Sequence, residues 1–413
     1  MNRKQMKHIT KTYPEEAVRI QISSFTGKGG FSEKALSTEK TSRPRANDFG
    51  PKKGVTEYQL MISGTDPNLP FEVQLSNVGK GFLRAVQEEL DEKAVAVFRR
   101  YFLSDAANQA DLVTEWECEN SFCALSIVQQ PPLNGTKIAL WTYLQTDMQM
   151  QIHPSGLFEV SHNGYRHFWN GSAYNKAASS EYQTRLLLNE YIIQLAEQHG
   201  SLATHCLRTW FFVQNVDLNY EGVVKARKEV FMTQNLTEKT HYIASTGIEG
   251  RHADPQVWVQ MDSYAVDGLR PGQIRYLYAP THLNPTYEYG VTFERGTTVT
   301  YGDRRHIFIS GTASINHRGE IVYPSNVEKQ AERMMENIEA LLKEAGADLS
   351  AISEAITYLR DPADYAVAKE FFDRRYPAFP HLIVFAPVCR PGWLIETECM
   401  AIIPWETNYY NCL

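Results

Sequence analysis

No excess of positive charge runs through this chain of 413 residues: 41 Lys and Arg stand against 48 Asp and Glu, a net charge of -7. Nucleic-acid backbones need a basic face, so no nucleic-acid partner is expected. Cysteine is sparse and scattered. Cys118, Cys123, Cys206, Cys389, Cys399 and Cys412 form no C-x-x-C pair, which argues against a zinc site and a disulfide framework. Reduced thiols of this kind suit a cytoplasmic protein, in which the sequons at Asn134, Asn170 and Asn235 carry no meaning. No apolar run has the length of a bilayer span, and the opening MNRKQMKHITKTYPEE lacks the apolar stretch of a secretory leader. Neither membrane contact nor secretion is therefore expected. His153, His162, His167 and His282 lack metal-ligand spacing, no Lys follows the glycine of SGTAS as in a phosphate loop, and Ser314 has no evident His and acidic partners. No metal or other cofactor is expected.

What is present is repetition. Ile62–Thr65 and Ile309–Thr312 both read I-S-G-T, and each is followed by S-N-V and a segment of helical period. In the last copy, Val327, Ala331, Met334, Ile338, Leu341 and Ala345 recur at helical spacing, Ser325 and Glu328 form a capping box, and Gly346 ends the helix. AISEAITYLRD alternates as a strand, Pro362 opens a second helix, and HLIVFAPVC with WLIETECMAII reads as a closing hairpin. The order is ββαβαββ if a short strand follows SINHRG. The middle of the chain repeats this plan: Gly200 to Tyr220 spans 20 residues and Gly346 to Tyr365 spans 19. The pattern predicts an α+β protein of three repeats at 15–150, 155–268 and 290–405, with a mobile polar loop near 27–54 and a Pro- and Tyr-rich connector before the third repeat.

The stretches IFISGTASINHRGEIV, ENIEALLKEAGADLSAI, TYLRDPADYAVAKEFF and IETECMA resemble the Rid/YjgF superfamily over the whole third repeat and, more faintly, the other two. The resemblance implies three fused Rid-like (chorismate-mutase-like) units forming an intramolecular pseudo-trimer, because single-unit relatives are homotrimers with ligand sites in the clefts between subunits. This covalent form is most similar to the chorismatases, which remove the enolpyruvyl group of chorismate; SGTASI and CRPGWLIETE carry that likeness. Imine deaminases of the superfamily bind the substrate carboxylate with an Arg whose place here is Leu382. None of the repeats keeps it, which speaks against deamination. The site glutamate of the superfamily corresponds to Glu396, with Gln260 and Ala139 at the matching places of the other repeats. One active cleft per chain is therefore expected, with the other two reduced to interfaces.

The residues support the same reading on their own chemistry. Leu394, Glu396 and Glu398 share one strand face. A carboxyl buried there, near a second one, is raised in pKa and can deliver a proton near neutral pH, as cleavage of an enol ether requires. Cys389 shares that face if the turn after it has four residues and leaves it if the turn has three. The thiol is either a second catalytic group, as in the 3-hydroxybenzoate branch of the chorismatases that the sequence resembles, or an inert buried cysteine. Chorismate carries two carboxylates, for which Arg208, Arg227, Arg295 and Arg390 are candidates, Arg227 being equally readable as a solvated helix residue. Tyr220, Tyr242, Tyr289 and His241 lie on segments expected to approach the cleft. The expected partner is a small aromatic or cyclohexadiene carboxylic acid. A homo-oligomer is an open alternative, as are a Rid-type deaminase and a non-enzymatic ligand-binding protein.

Overall fold

The computed structural model describes residues 6–28 and 54–413. All but the ends of the polar loop expected at 27–54 lies outside the described residues.

Three six-stranded sheets of one design organise the described residues. In the third, the order is Ile274–Leu277, Gly296–Thr300, Arg304–Ala313, Ile395–Pro404, Ile352–Leu359 and His381–Phe385. All neighbours are antiparallel except the last two strands, which are parallel and joined through the helix Tyr365–Arg375. The first sheet ends likewise on the parallel pair Val95–Leu103 and Ala124–Gln129, the second on Cys206–Val213 and Ala244–Glu249. The helices Val327–Glu344, Phe71–Glu89 and Ser180–Glu197 take the same place in each unit. The fold is thus the α+β triplet that the repeats predict.

Local details differ from the sequence reading. The last two strands are not a hairpin: Ile352–Leu359 lies between them, because the helix carries the chain across the sheet before it returns. The segment after SINHRG makes only a bridge from Ile315 to Ile321; the extra opening strand lies upstream, at Gly296–Thr300. The connector contributes the edge strand Ile274–Leu277. The third unit's long helix is capped by Asn326, whose side chain accepts from the Lys329 N–H, one residue beyond the expected Ser325.

The units close in a ring. The parallel edge strand of each lies against a central strand of the next: Ala124–Gln129 on Tyr165–Tyr174, Ala244–Glu249 on Arg304–Ala313, and His381–Phe385 on Thr56–Gly64. The inner sheet faces supply Phe98, Trp141, Trp169, Trp210, Tyr264 and Phe308 to one shared core. Buried ion pairs cross it at every joint, among them Arg100 to Asp262 at 2.8 Å, Arg208 to Glu398 at 2.7 Å and Arg304 to Glu57 at 2.5 Å. Removing one member of such a pair costs about 3–5 kcal/mol.

Candidate functional site

The joint between the second and third units encloses a cavity of about 370 Å³. The second unit contributes the helix Val216–Thr233 and the edge strand Ala244–Glu249. The third contributes the strand ends at Gly311–Ala313 and Glu396 and the loop at Cys389–Trp393. Glu396 sits one residue into its strand, paired with Ala313 on one side and Tyr358 on the other. Its carboxyl group lies over Gly311, where a Cβ would overlap Oε1; glycine here is what lets the carboxyl approach the backbone. Glu396 is 4% exposed and makes no hydrogen bond to any described residue. Burial, then the neighbouring Glu398, pushes its pKa up to about 8. At neutral pH it is an acid with a free face.

Two buried guanidinium groups share the cavity with it, and neither forms an ion pair with a carboxylate among the described residues. Arg227 is 1% exposed; Nε donates to Thr292 Oγ1 at 3.1 Å and Nη1 to Ser245 Oγ at 3.4 Å, while Nη2 has no acceptor. Arg295 is also buried, and donates to the Asn284 carbonyl at 2.9 Å and its Oδ1 at 3.1 Å. Neutral acceptors satisfy hydrogen bonds without an ion pair, and although Arg295 feels the charges of Glu294 and Glu396, an anion placed between the two guanidiniums is favoured. Tyr289 stands between Arg295 and Arg390, whose Cζ atoms lie 5.3 and 4.9 Å from its ring centre, and its buried hydroxyl has no partner. Arg390 is exposed at the mouth. Tyr220 lies over Gly247, where a Cβ would stand 2.7 Å from the ring.

Of the residues singled out in the sequence, Glu396, Cys389, Arg227, Arg295, Arg390, Tyr220 and Tyr289 converge on this cavity. Arg227 is not solvated: its position on the helix points it inward beneath Ser245. Cys389 arrives from the loop after the edge strand, so the hairpin register does not decide its face. Burial, then the proximity of Glu396, raises its thiol to about 12, so it is a neutral thiol at physiological pH and not a nucleophile. Two expectations are corrected. Arg208 does not line the cavity, because its charge is taken by Glu398 on the core side. Tyr242 lies beyond Arg295, packed in the second unit's core and lining, with His241, a separate cavity of about 80 Å³. Its backbone N–H donates to Glu294 at 2.7 Å, and Glu294 and Arg295 feel each other electrostatically without forming an ion pair.

At the other two joints the described residues bond across the corresponding positions. Strand pairing places Gln260 opposite Phe212 and Ala139 opposite Phe102, as Glu396 is opposite Tyr358, each one residue into its strand. Gln260 Nε2 donates across the first joint to the Ile127 carbonyl at 3.0 Å and, within its own sheet, to Ser172 Oγ at 3.1 Å. At the joint of third and first units, the segment 131–133 bonds to the edge strand: Leu133 N to Ile383 O at 3.1 Å and Phe385 N to Pro131 O at 2.8 Å. The same pairing equates Leu382 with Thr246 and Ser126. Thr246, absent from the sequence reading, therefore faces Glu396 where a deaminase of the resembled superfamily would carry its Arg. Only the strand register reveals it.

A family model described as endoribonuclease L-PSP matches residues 298–403. Over 98 residues the chain is 39% identical to a RutC family protein of Pyrococcus abyssi, covering 23% of this chain and 76% of that protein. It is 32% identical over 97 residues to the protein DfrA of Myxococcus xanthus, covering 23% and 74% respectively. A solved chorismatase structure overlaps 76% of this chain and 94% of its own with a TM-score of 0.59 at 16% identity, a likeness of fold.

Proposed function

The chain belongs to the endoribonuclease L-PSP family, that of the Rid/YjgF proteins, and from that premise we propose that it cleaves the enolpyruvyl ether of chorismate, or of a closely similar cyclic dicarboxylate, releasing pyruvate. The observation that carries this reading is a buried, unbonded Glu396, its pKa pushed up by burial and by Glu398, facing a cavity in which Arg227 and Arg295 form no ion pair among the described residues. A dianionic ligand compensates both guanidiniums and leaves the acid free for chemistry. The fold shared with a chorismatase agrees with it.

The chemistry follows from the acid's placement. Glu396 gives its proton to the terminal methylene of the enolpyruvyl group, forming a methyl group and an oxocarbenium ion; the carboxylate left behind stabilises that cation. Water then adds to the cationic carbon and returns a proton to Glu396. The resulting hemiketal breaks its bond to the ring oxygen, which takes up the proton of the hemiketal hydroxyl. The products are pyruvate and a dihydroxycyclohexadiene acid, with one water consumed. Capture by the ring hydroxyl instead of water gives a cyclic ketal. One of its ring C–O bonds then breaks, and the other oxygen-bearing ring carbon loses its proton as the ring becomes aromatic. The remaining hemiketal anion collapses to pyruvate and a phenolate that takes up that proton, leaving a hydroxybenzoate with no water consumed. Cys389, a neutral thiol beside the acid, bears on which nucleophile arrives. Arg227 and Arg295 hold the two carboxylates, and Arg390 with Tyr289 closes the mouth.

The test is pyruvate formation from chorismate, followed by a coupled lactate dehydrogenase. Release that is lost in Glu396→Gln supports the reading. Binding without release marks a ligand-binding protein, and ammonia from an imine of an amino acid marks a deaminase; either result overturns it.

A further inference from the structure

Thr246 is held in an unusual way. Its Oγ1 accepts from Arg208 Nη2 at 2.6 Å and from the Gly311 N–H at 3.0 Å. A hydroxyl has two lone pairs and one proton, so both acceptor positions are filled by donors that cannot reverse roles: a guanidinium has no lone pair to offer, and neither has a backbone N–H. Arg208 is itself fixed, since Glu398 Oε2 accepts from the same Nη2 at 2.7 Å and Glu398 Oε1 accepts from Trp210 Nε1 at 2.8 Å. The hydroxyl proton of Thr246 can only point away from both, and no protein acceptor for it occurs among the described residues. Thr246 lines the cavity, and both its methyl group and Glu396 Oε1 lie close to the point where a Gly311 side chain would begin.

We propose that Thr246 is an obligate hydrogen-bond donor to an oxygen atom of the ligand beside Glu396, and that Arg208 is the positioning residue that sets this polarity from the core. The ligand oxygen is a carboxylate or ether oxygen; this part of the proposal rests on the ligand being an organic acid, as in the function proposed above. The corresponding strand positions do not share the device. Ser126 in the first unit has a buried Oγ with no partner, and Leu382 in the third has no hydroxyl. A guanidinium backs the hydroxyl only in the joint that carries the acid. The ion pair of Arg208 and Glu398 thereby acquires a role beyond holding two units together.

The experiment uses the full chain and two probes: chorismate, read by pyruvate release, and isophthalate, an unreactive flat dicarboxylate, read by calorimetric titration. Thr246→Val removes the hydroxyl at nearly constant shape, and Thr246→Ser restores it. Expected is a loss of about tenfold or more in isophthalate affinity for Thr246→Val, the scale of one hydrogen bond to a charged group, with Thr246→Ser within about twofold of the parent. Melting curves establish that each variant is folded at the titration temperature; should Thr246→Val not fold, Thr246→Ala is titrated in its place with the same expectation. Unchanged affinity in the variant lacking the hydroxyl, or no rescue by serine, overturns the proposal. If the parent binds isophthalate but releases no pyruvate, the enolpyruvyl reading fails while the Thr246 comparison still decides. Failure of the parent to bind either probe overturns both.

Discussion

The joint between the second and third units and the joint between the first and second rest on one strand register, yet at one the described residues line a cavity of about 370 Å³ and at the other the matching side chain is bonded across the joint. The difference begins with a pair of positions. Where the open joint has Glu396, unbonded above Gly311, the closed joint has Gln260, whose amide donates to Ile127 and Ser172 of the partner strands. The Gln260 amide N–H group is engaged across that joint, although its Oε1 has no partner among the described residues; the Glu396 carboxyl bonds to no described residue and stays free for something that arrives from outside. The helices differ in the same sense. Arg227 projects from Val216–Thr233 into the open joint with a free Nη2, whereas Arg99, on the first unit's strand, is bound to Glu117 of the helix Ala106–Asn120 at 2.8 Å. A paired guanidinium holds its own unit together; an unpaired one awaits an anion.

The comparison can be broken most severely at the acid. Glu396→Gln keeps the shape and removes the proton, and pyruvate release from chorismate is expected to fall by about a thousandfold, within the range of lost general-acid catalysis. Arg227→Met leaves one carboxylate of the substrate without a cation; kcat/KM should fall by about a hundredfold, mostly through KM, in initial-rate measurements. A smaller effect comes from pH. Glu396 holds its proton up to about 8, so kcat/KM should be level below that value and fall about tenfold per pH unit above it. Glu396 and Glu354 are both raised to about 8 from an ordinary 4.5. The folded chain thus retains protons that the unfolded chain releases. Their stabilising contribution is full below about 4.5 and declines as pH rises towards 8, and melting temperatures across that window should follow. The slightest change is expected in the closed joint. Gln260→Glu places a carboxylate oxygen against the Ile127 carbonyl and should lower the melting temperature by a few degrees, with no second site appearing in isophthalate titrations.

Much of this asymmetry was legible before the fold was seen. Two of the units are marked by the I-S-G-T segments and the middle one by the Gly200 to Tyr220 spacing, and the singularity of Glu396 follows from its alignment with Gln260 and Ala139. The S-N-V match does not hold, since it lies inside the helix Phe71–Glu89 in the first unit and at the start of Val327–Glu344 in the third. What escaped the sequence was whatever depends on packing between units. Arg227 sits between Ala226 and Lys228 as any surface arginine might, and only the neighbouring unit's Thr292 and Phe293 turn that helix face into an interior. Arg208 reads like a ligand-binding cation in an apolar strand; its counter-ion lies 190 residues away, at Glu398. Thr246 carries no local signal at all. The supposed closing hairpin failed because two adjacent apolar segments do not reveal whether a strand comes between them.

That three units share one backbone has a genetic consequence. In a ring of separate identical chains every mutation is written three times, so a change that benefits one groove is imposed on the other two. Here a codon is read into a single place. Gln260 can serve as a plug, Glu396 as an acid and Ala139 as filler, and each can drift or be redesigned without disturbing its counterparts.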